Sequence, residues 1–212
     1  MLTVHHLGVS QSERIVWLCE ELGLDYQLKR YDRDPQTRLA PAAYKALHPM
    51  GTAPVITDGK VVMSESGAIV EYILARYGKG SLAVAPEQPN FADYVFWLHF
   101  ANGSMMPHEL IRLICSMLGA NDSPVLQSLM SRSDRGYTLV EKRLGEAEWF
   151  AGPELTAADV MMVFTLTTMR MFEARDLSAY PHIRRYLKRV GERPAYRRAM
   201  AKGDPGMTPL LE

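Results

Sequence analysis

Hydrophobic and polar positions change period several times along the first third of the chain. Residues 2 to 6 form a short run with β character. From Ser10 the spacing becomes helical: Ile15, Leu18, Cys19 and Leu22 recur three and four residues apart, which predicts a helix with one buried face. Gly23 stands where a helix C-terminal cap belongs. Tyr26 to Tyr31 reads as a second strand, residues 32 to 41 as a loop rich in Asp, Arg and Pro, and residues 42 to 47 as a short helix. Two apolar runs, Pro54 to Ile56 and Lys60 to Met63, flank Asp58-Gly59, a pair suited to a tight hairpin. A helix then opens near Ser64, with Ile69, Ile73 and Tyr77 on one face and Val70 and Leu74 beside them.

The predicted order β-α-β-α-β-β-α joins two parallel strands by a helix and adds an antiparallel hairpin and a closing helix. That is a thioredoxin-like arrangement, assigned to residues 1–78. Residues 79–89, with Gly80, Pro86 and Pro89, lose periodicity and are the expected linker. Only helical patterns follow. One runs from 91 to 118 with a kink expected at Pro107. Ser123-Pro124 caps a second that reaches about residue 147. Thr156 and Asp159 have capping-box spacing before the apolar run Val160 to Phe164, and shorter helices are expected over 180–190 and 194–202. The fold class is thus α/β plus all-α, with residues 90–212 forming a C-terminal helical bundle domain.

Composition narrows the partners. Apolar residues make up 47% of the 212 residues, enough to bury a core, so disorder is not expected. The 24 basic residues balance 24 acidic ones, and a neutral chain lacks the basic surface of a nucleic-acid binder. No apolar stretch approaches the ~18 residues of a membrane span. The start, Met-Leu-Thr-Val-His-His, lacks the basic-then-apolar pattern of a leader. No membrane partner and a cytoplasmic location are therefore expected. Cys19 and Cys115 are too few for a disulfide framework, and both fall on apolar helical faces as buried structural residues. The six histidines show no metal-ligand spacing, and His5 and His6, adjacent on a strand, point to opposite faces. No metal is expected.

Candidate chemistry gathers at the helix starts. Ser10-x-x-Glu13 has capping-box spacing, so Ser10 either caps its helix or offers its hydroxyl to a ligand there; Ser12 is the rival for both roles. Glu65 and Ser66 sit at another helix start, where backbone N–H groups bind carboxylates, and capping is again the alternative.

Three segments, Ser10 to Arg14, His48 to Ile56 and Ser64 to Tyr72, occur in an order and spacing that resembles the glutathione transferase superfamily. The likeness covers nearly the whole chain and includes Thr156 to Asp159. It is nearest to a serine-type, bacterial and fungal branch of small cytosolic transferases. The resemblance implies that Ser10 stabilises the glutathione thiolate, with Ser12 the runner-up. It implies a cis bond before Pro54, which would present Ala53 to the cysteinyl unit. It implies that Ser66 meets the γ-glutamyl carboxylate and Glu65 its ammonium. Thr52, which can offer glutathione a hydrogen bond but no charge, stands where many relatives have a lysine for the glycyl carboxylate; Arg33, Arg38 or His48 is a candidate substitute, and weak binding of glutathione or preference for a modified form is the alternative. The helical domain is expected to form the electrophile pocket, with Phe100, Met105, Met106 and Phe164 as candidates and core packing as their alternative. Asn102 lies where some relatives address a neighbouring subunit. The implied partners are glutathione as co-substrate, a small electrophile and a second copy in a homodimer. The implied function is transfer of glutathione to small hydrophobic electrophiles in detoxification. Two alternatives are glutathione-dependent peroxide or disulfide reduction at the same site, and a non-catalytic glutathione-binding or regulatory protein of this fold.

Overall fold

The computed structural model describes residues 1–119 and 123–212. It has the expected α/β plus all-α architecture. The chain divides into two compact units, Met1–Ala83 with Gly191–Pro209, and Val84–Val190 with Leu210–Glu212. The first break falls inside residues 79–89.

In the first unit, β1 (Leu2–Leu7), β2 (Gln27–Tyr31), β3 (Val55–Asp58) and β4 (Val61–Ser64) form a sheet of order β2-β1-β3-β4. β1 pairs parallel with β2 and antiparallel with β3, and β3 pairs antiparallel with β4. Helix α1 (Glu13–Glu21) supplies the crossover between β1 and β2, as parallel pairing requires. The side-chain alternation of β1 divides its two faces. Leu7 packs with Tyr31, Val55 and Tyr44, the last from the short helix α2 (Ala42–Lys45), and Tyr31 and Tyr44 meet edge to face at 5.1 Å. The hairpin between β3 and β4 turns at Gly59, whose φ of 59° suits glycine. Helix α3 (Ser66–Tyr77) locks that hairpin, since Tyr72 and Tyr77 both donate their hydroxyls to Asp58. Gly23 takes the left-handed cap expected of it, and Leu24 N–H closes the helix end on Cys19 C=O at 3.0 Å.

The second unit is helical. α4 (Phe91–Phe100) runs into a π-helical turn, Ala101–Met105, and then α5 (Met106–Met117). The π-helical turn stands just before Pro107, where the sequence predicts a kink. Pro107 has no N–H to give and its ring excludes the carbonyl four residues back, so the chain widens by one residue per turn just before it. α6 (Pro124–Glu146) follows, and α7 (Ala157–Leu166) carries the capping box. Asp159 accepts Thr156 N–H at 2.9 Å and Phe150 N–H at 3.0 Å. α8 (Pro181–Glu192) closes the unit on an apolar stripe of Ile183, Tyr186, Leu187 and Val190.

The last helix departs from the expected organisation. α9 (Pro194–Gly203) groups with the first unit, so the range 90–212 contains residues of both. Its apolar face packs on α1, where Tyr196 meets Trp17 edge to face at 5.2 Å. With α9 in place, Glu13 to Glu20 are all buried, and α1 has more than the single buried face its spacing predicts. Basic residues at and along this helix pair with the end of α1: Arg193 grips Glu21 through two bonds of 2.6 and 2.8 Å, and Arg198 and Lys202 reach Glu20 at 3.0 and 2.6 Å.

Candidate functional site

The register of the sheet brings the first unit's candidates to one end. His5 of β1 lies opposite Val55, and Val55 lies opposite Ser64. The turn after β1 that carries Ser10, the segment Thr52–Pro54 before β3, and Glu65–Ser66 after β4 therefore share the same edge. The Ala53–Pro54 bond is cis. Ser64 Oγ donates to Pro54 C=O at 3.1 Å, tying two of these segments together. Thr52 and Glu65 are exposed, Ala53 is half-buried, and Ser66 is 2% exposed. Glu65 holds φ at 79°, a conformation that costs energy for a residue with a side chain and recurs at binding sites. Arg14, fully buried on α1, feels the charges of Glu13 and Glu65; burial pushes its guanidinium down to about 10, which leaves it charged at neutral pH.

The capping box expected from Ser10 to Glu13 is not what the Ser10 hydroxyl does. Val9 adopts φ of 52°, a genuine outlier for a β-branched residue, and the turn it makes points Ser10 back at its own upstream chain. Ser10 Oγ donates to Leu7 C=O at 2.6 Å and lies 2.7 Å from Ser12 Oγ. The helix opens only at Glu13. Ser10 keeps 5% exposure, whereas Ser12 is fully buried. Ser12 Oγ accepts Leu7 N–H at 3.1 Å and sits 2.9 Å from His6 Nδ1. His6 Nε2 in turn lies 3.1 Å from Asp204 Oδ2, and the other oxygen of Asp204 accepts Val9 N–H at 2.9 Å. His5, on the opposite face of the strand, instead meets Tyr31 Oη at 3.1 Å and Thr57 Oγ1 at 3.2 Å. Sequence reasoning separates the two rings correctly but gives no signal for Asp204, 198 residues from His6.

Two of the cations named as substitutes for a lysine at Thr52 make contacts close to their own segments. Arg33 donates to the carbonyls of Gly8, Val9 and Arg38 at 2.8 to 2.9 Å, so its guanidinium braces the turn before Ser10. Burial, and then the neighbouring Arg38, hold its pKa below the ordinary arginine value. His48 Nδ1 accepts Met50 N–H at 3.2 Å.

In the second unit, Met105, Met106 and Phe164 are 0%, 5% and 3% exposed. Met106 and Phe164 form a cluster with Met169, backed by Leu113. These side chains are core of the helical unit, the alternative open to them on sequence. Phe100 is half-buried and stacks with Phe96 at 5.5 Å. Asn102 falls in the π-helical turn. A surface depression lined by Arg112, Ser116, Met130, Asp134 and Glu173 contains none of the five. Cys19 is buried, and burial followed by the Glu20 charge pushes its thiol up to about 12, so it does not ionise at neutral pH. Cys115 is also buried. Among the described residues no group of three His, Cys, Asp or Glu could hold a metal ion, and no helix is long and apolar enough to cross a membrane.

The family follows from comparison with known proteins. The N-terminal domain model of glutathione S-transferase matches residues 10–76, and the C-terminal domain model matches residues 98–194. Glutathione S-transferase 3 of Schizosaccharomyces pombe is 31% identical, over 100% of this chain and 91% of its own. A glutathione S-transferase crystal structure from Actinobacillus pleuropneumoniae is 37% identical with a TM-score of 0.88, covering 96% of this chain and 93% of that one. A glutathione transferase family member from Pseudomonas fluorescens, solved with two glutathione bound, shares the fold at 22% identity and a TM-score of 0.78, covering 94% of this chain and 92% of its own. The chain belongs to the glutathione S-transferase family.

Proposed function

We propose that this protein ionises the thiol of glutathione and directs the thiolate at small hydrophobic electrophiles. The observation that carries the reading is the gathering of Ser10, Ala53–Pro54 and Glu65–Ser66 at one end of the sheet through the pairing of β1, β3 and β4. A free thiol of this kind has a pKa near ~8.5, so little of it is thiolate at neutral pH. A hydroxyl donating to the sulfur stabilises the charged form and lowers that value. Ser10 is the group for this task, because Ser12 has no exposed surface. The free N–H groups at the start of α3, with Ser66 Oγ, suit the γ-glutamyl carboxylate. Glu65 suits the ammonium beside it, and the main chain of Ala53 suits strand-like pairing with the cysteinyl unit. The bound glutathione of the Pseudomonas fluorescens relative supports glutathione as the co-substrate here. A cytoplasmic homodimer active in detoxification is the setting this reading implies.

Substituting Ser10 tests it. One hydrogen bond to a charged group contributes about 1.5–3 kcal/mol. Ser10→Ala should therefore slow glutathione addition to a chromogenic electrophile by about 10- to 200-fold in kcat/KM. Unchanged turnover in a folded variant would remove Ser10 from the mechanism.

A further inference from the structure

The hydroxyl that the reaction needs is turned the wrong way in the resting chain, and the reason lies in a buried row of hydrogen bonds. Asp204, 3% exposed at the end of α9, is a carboxylate. Burial alone would raise its pKa, but the His6 hydrogen bond, the Val9 N–H and the charge of Arg30 oppose this and hold it below the ordinary range. A carboxylate only accepts hydrogen bonds, so His6 Nε2, at 3.1 Å, must carry a proton. When the ring is neutral, Nδ1 is its acceptor and Ser12 donates to it at 2.9 Å. With its one proton committed, Ser12 cannot donate to Ser10. The Ser10 proton therefore points inward, to Leu7 C=O at 2.6 Å or Ser12 Oγ at 2.7 Å, and none faces a ligand.

The row is built rather than incidental. His6 and Ser12 are fully buried. Gly203 leaves room for the ring, since a Cβ there would lie 3.2 Å from His6 Nε2. Around Asp204, Arg30 Nε donates to Gly203 C=O at 2.8 Å, and Arg33, whose charge Asp204 also feels, braces Gly8 and Val9. Arg30, Arg33, Asp204 and His6 are charged or titratable groups that meet along the row, and the buried Glu13 and Arg14 follow Ser12 directly in the chain.

We propose that His6 is the acceptor of the glutathione thiol proton, reached through Ser10 and Ser12, and that the same transfer turns the Ser10 hydroxyl toward the sulfur. The inference rests on the function proposed above. The proton of the thiol passes to Ser10 Oγ, the Ser10 proton to Ser12 Oγ, and the Ser12 proton to His6 Nδ1. Three X–H bonds break and three form. Neutral thiol and neutral imidazole become thiolate and imidazolium, with the imidazolium held against Asp204. Every donor then faces the sulfur: His6 to Ser12, Ser12 to Ser10, Ser10 to the thiolate. Hydrogen bonds aligned in this sense polarise one another, and Asp204 compensates the charge that His6 acquires. His6 and Asp204 touch no substrate; they act through the two serines.

The distinctive consequence is where the proton goes. Glutathione is mixed with the wild-type protein in weakly buffered solution containing a pH indicator, and thiolate is followed by its ultraviolet absorbance. S-methylglutathione, which has no thiol proton, gives the background from binding alone. Thiolate that forms with almost no proton released, together with an imidazolium signal from His6 in the nitrogen NMR spectrum, is the expected result. One proton released per thiolate overturns the relay and leaves the proposed function standing. No glutathione binding, or binding with no thiolate, overturns both. In the His6→Gln variant, the residual thiolate should fall about tenfold, equivalent to about one pH unit in the thiol pKa, and should release its proton to solvent. A variant with wild-type thiolate and wild-type proton uptake contradicts the assignment of His6. Asp204→Asn keeps an acceptor for Val9 N–H but not the charge that compensates the imidazolium, so it should show the same loss at a smaller scale. An unchanged thiolate level in that variant also contradicts the relay.

Discussion

Replacing Asp159 isolates what the capping box contributes to the helical unit. Its carboxylate is fully buried and serves two main-chain donors, Phe150 N–H at 3.0 Å and Thr156 N–H at 2.9 Å, with Thr156 Oγ1 at 3.2 Å. Asp159→Ala leaves both N–H groups without that acceptor, at about 1–3 kcal/mol each. Removing a buried charge returns part of this, so the net loss should be about 2–4 kcal/mol at neutral pH. Asp159→Asn keeps the volume but offers one acceptor oxygen to two donors, so at least half of the loss should remain. Burial also gives the comparison a pH dependence. It pushes the Asp159 carboxyl up to about 6, against bonds from Phe150 and Thr156 that pull it down. The unfolded value is near ~3.9, so the folded state holds the proton more tightly between the two. The stability that Asp159 contributes is therefore fully present below about pH 4 and declines as pH rises to about 6. Urea unfolding read from tryptophan fluorescence, with Trp97 and Trp149 both in this unit, measures the difference. The gap between wild type and Asp159→Asn should narrow as pH rises from 4 to 7. A gap that stays constant or widens would refute the assignment of burial as the dominant influence. An Asn variant within about 0.5 kcal/mol of wild type at neutral pH would mean that Asp159 does not serve both donors.

Other substitutions test the glutathione end of the first unit. Arg33→Lys cannot reproduce a planar fork on three carbonyls, so it should destabilise the protein by about 1–3 kcal/mol and speed amide exchange at Val9 and Ser10. Equal exchange in the variant would remove Arg33 as the brace of that turn. Thr52→Lys places a cation at an exposed position beside Ala53, and it should tighten glutathione binding by about 2- to 10-fold, an effect that weakens with added salt. Unchanged affinity in calorimetry would show that another group already serves the glycyl carboxylate.

The elements legible in the sequence are those whose signal is local. Period-two and period-3.6 runs gave the order of strands and helices, Gly23 and Gly59 sit where left-handed backbone is needed, and the Thr156 to Asp159 spacing forms its box. What escaped depends on contacts between distant residues. α9 has an ordinary amphipathic pattern, and nothing local says that its apolar face belongs to α1. The two faces of His5 and His6 follow from strand alternation, but the partner of His6 lies near the other end of the chain. Ser10 and Glu13 have capping-box spacing, yet the left-handed Val9 turns the hydroxyl inward, and backbone strain at a β-branched residue is invisible in sequence. The methionines near Pro107 match a pocket and a core equally well by composition, and only their burial separates the two.

Titrating the thiol of bound glutathione is the most direct test of the proposed function. Thiolate absorbance would be followed against pH for saturating glutathione on the wild-type protein and on Ser10→Ala. A bound thiol pKa at least about one unit below that of free glutathione, returning toward the free value in the variant, is the predicted result. Binding with an unshifted pKa, or a shift that survives loss of the Ser10 hydroxyl, would contradict it.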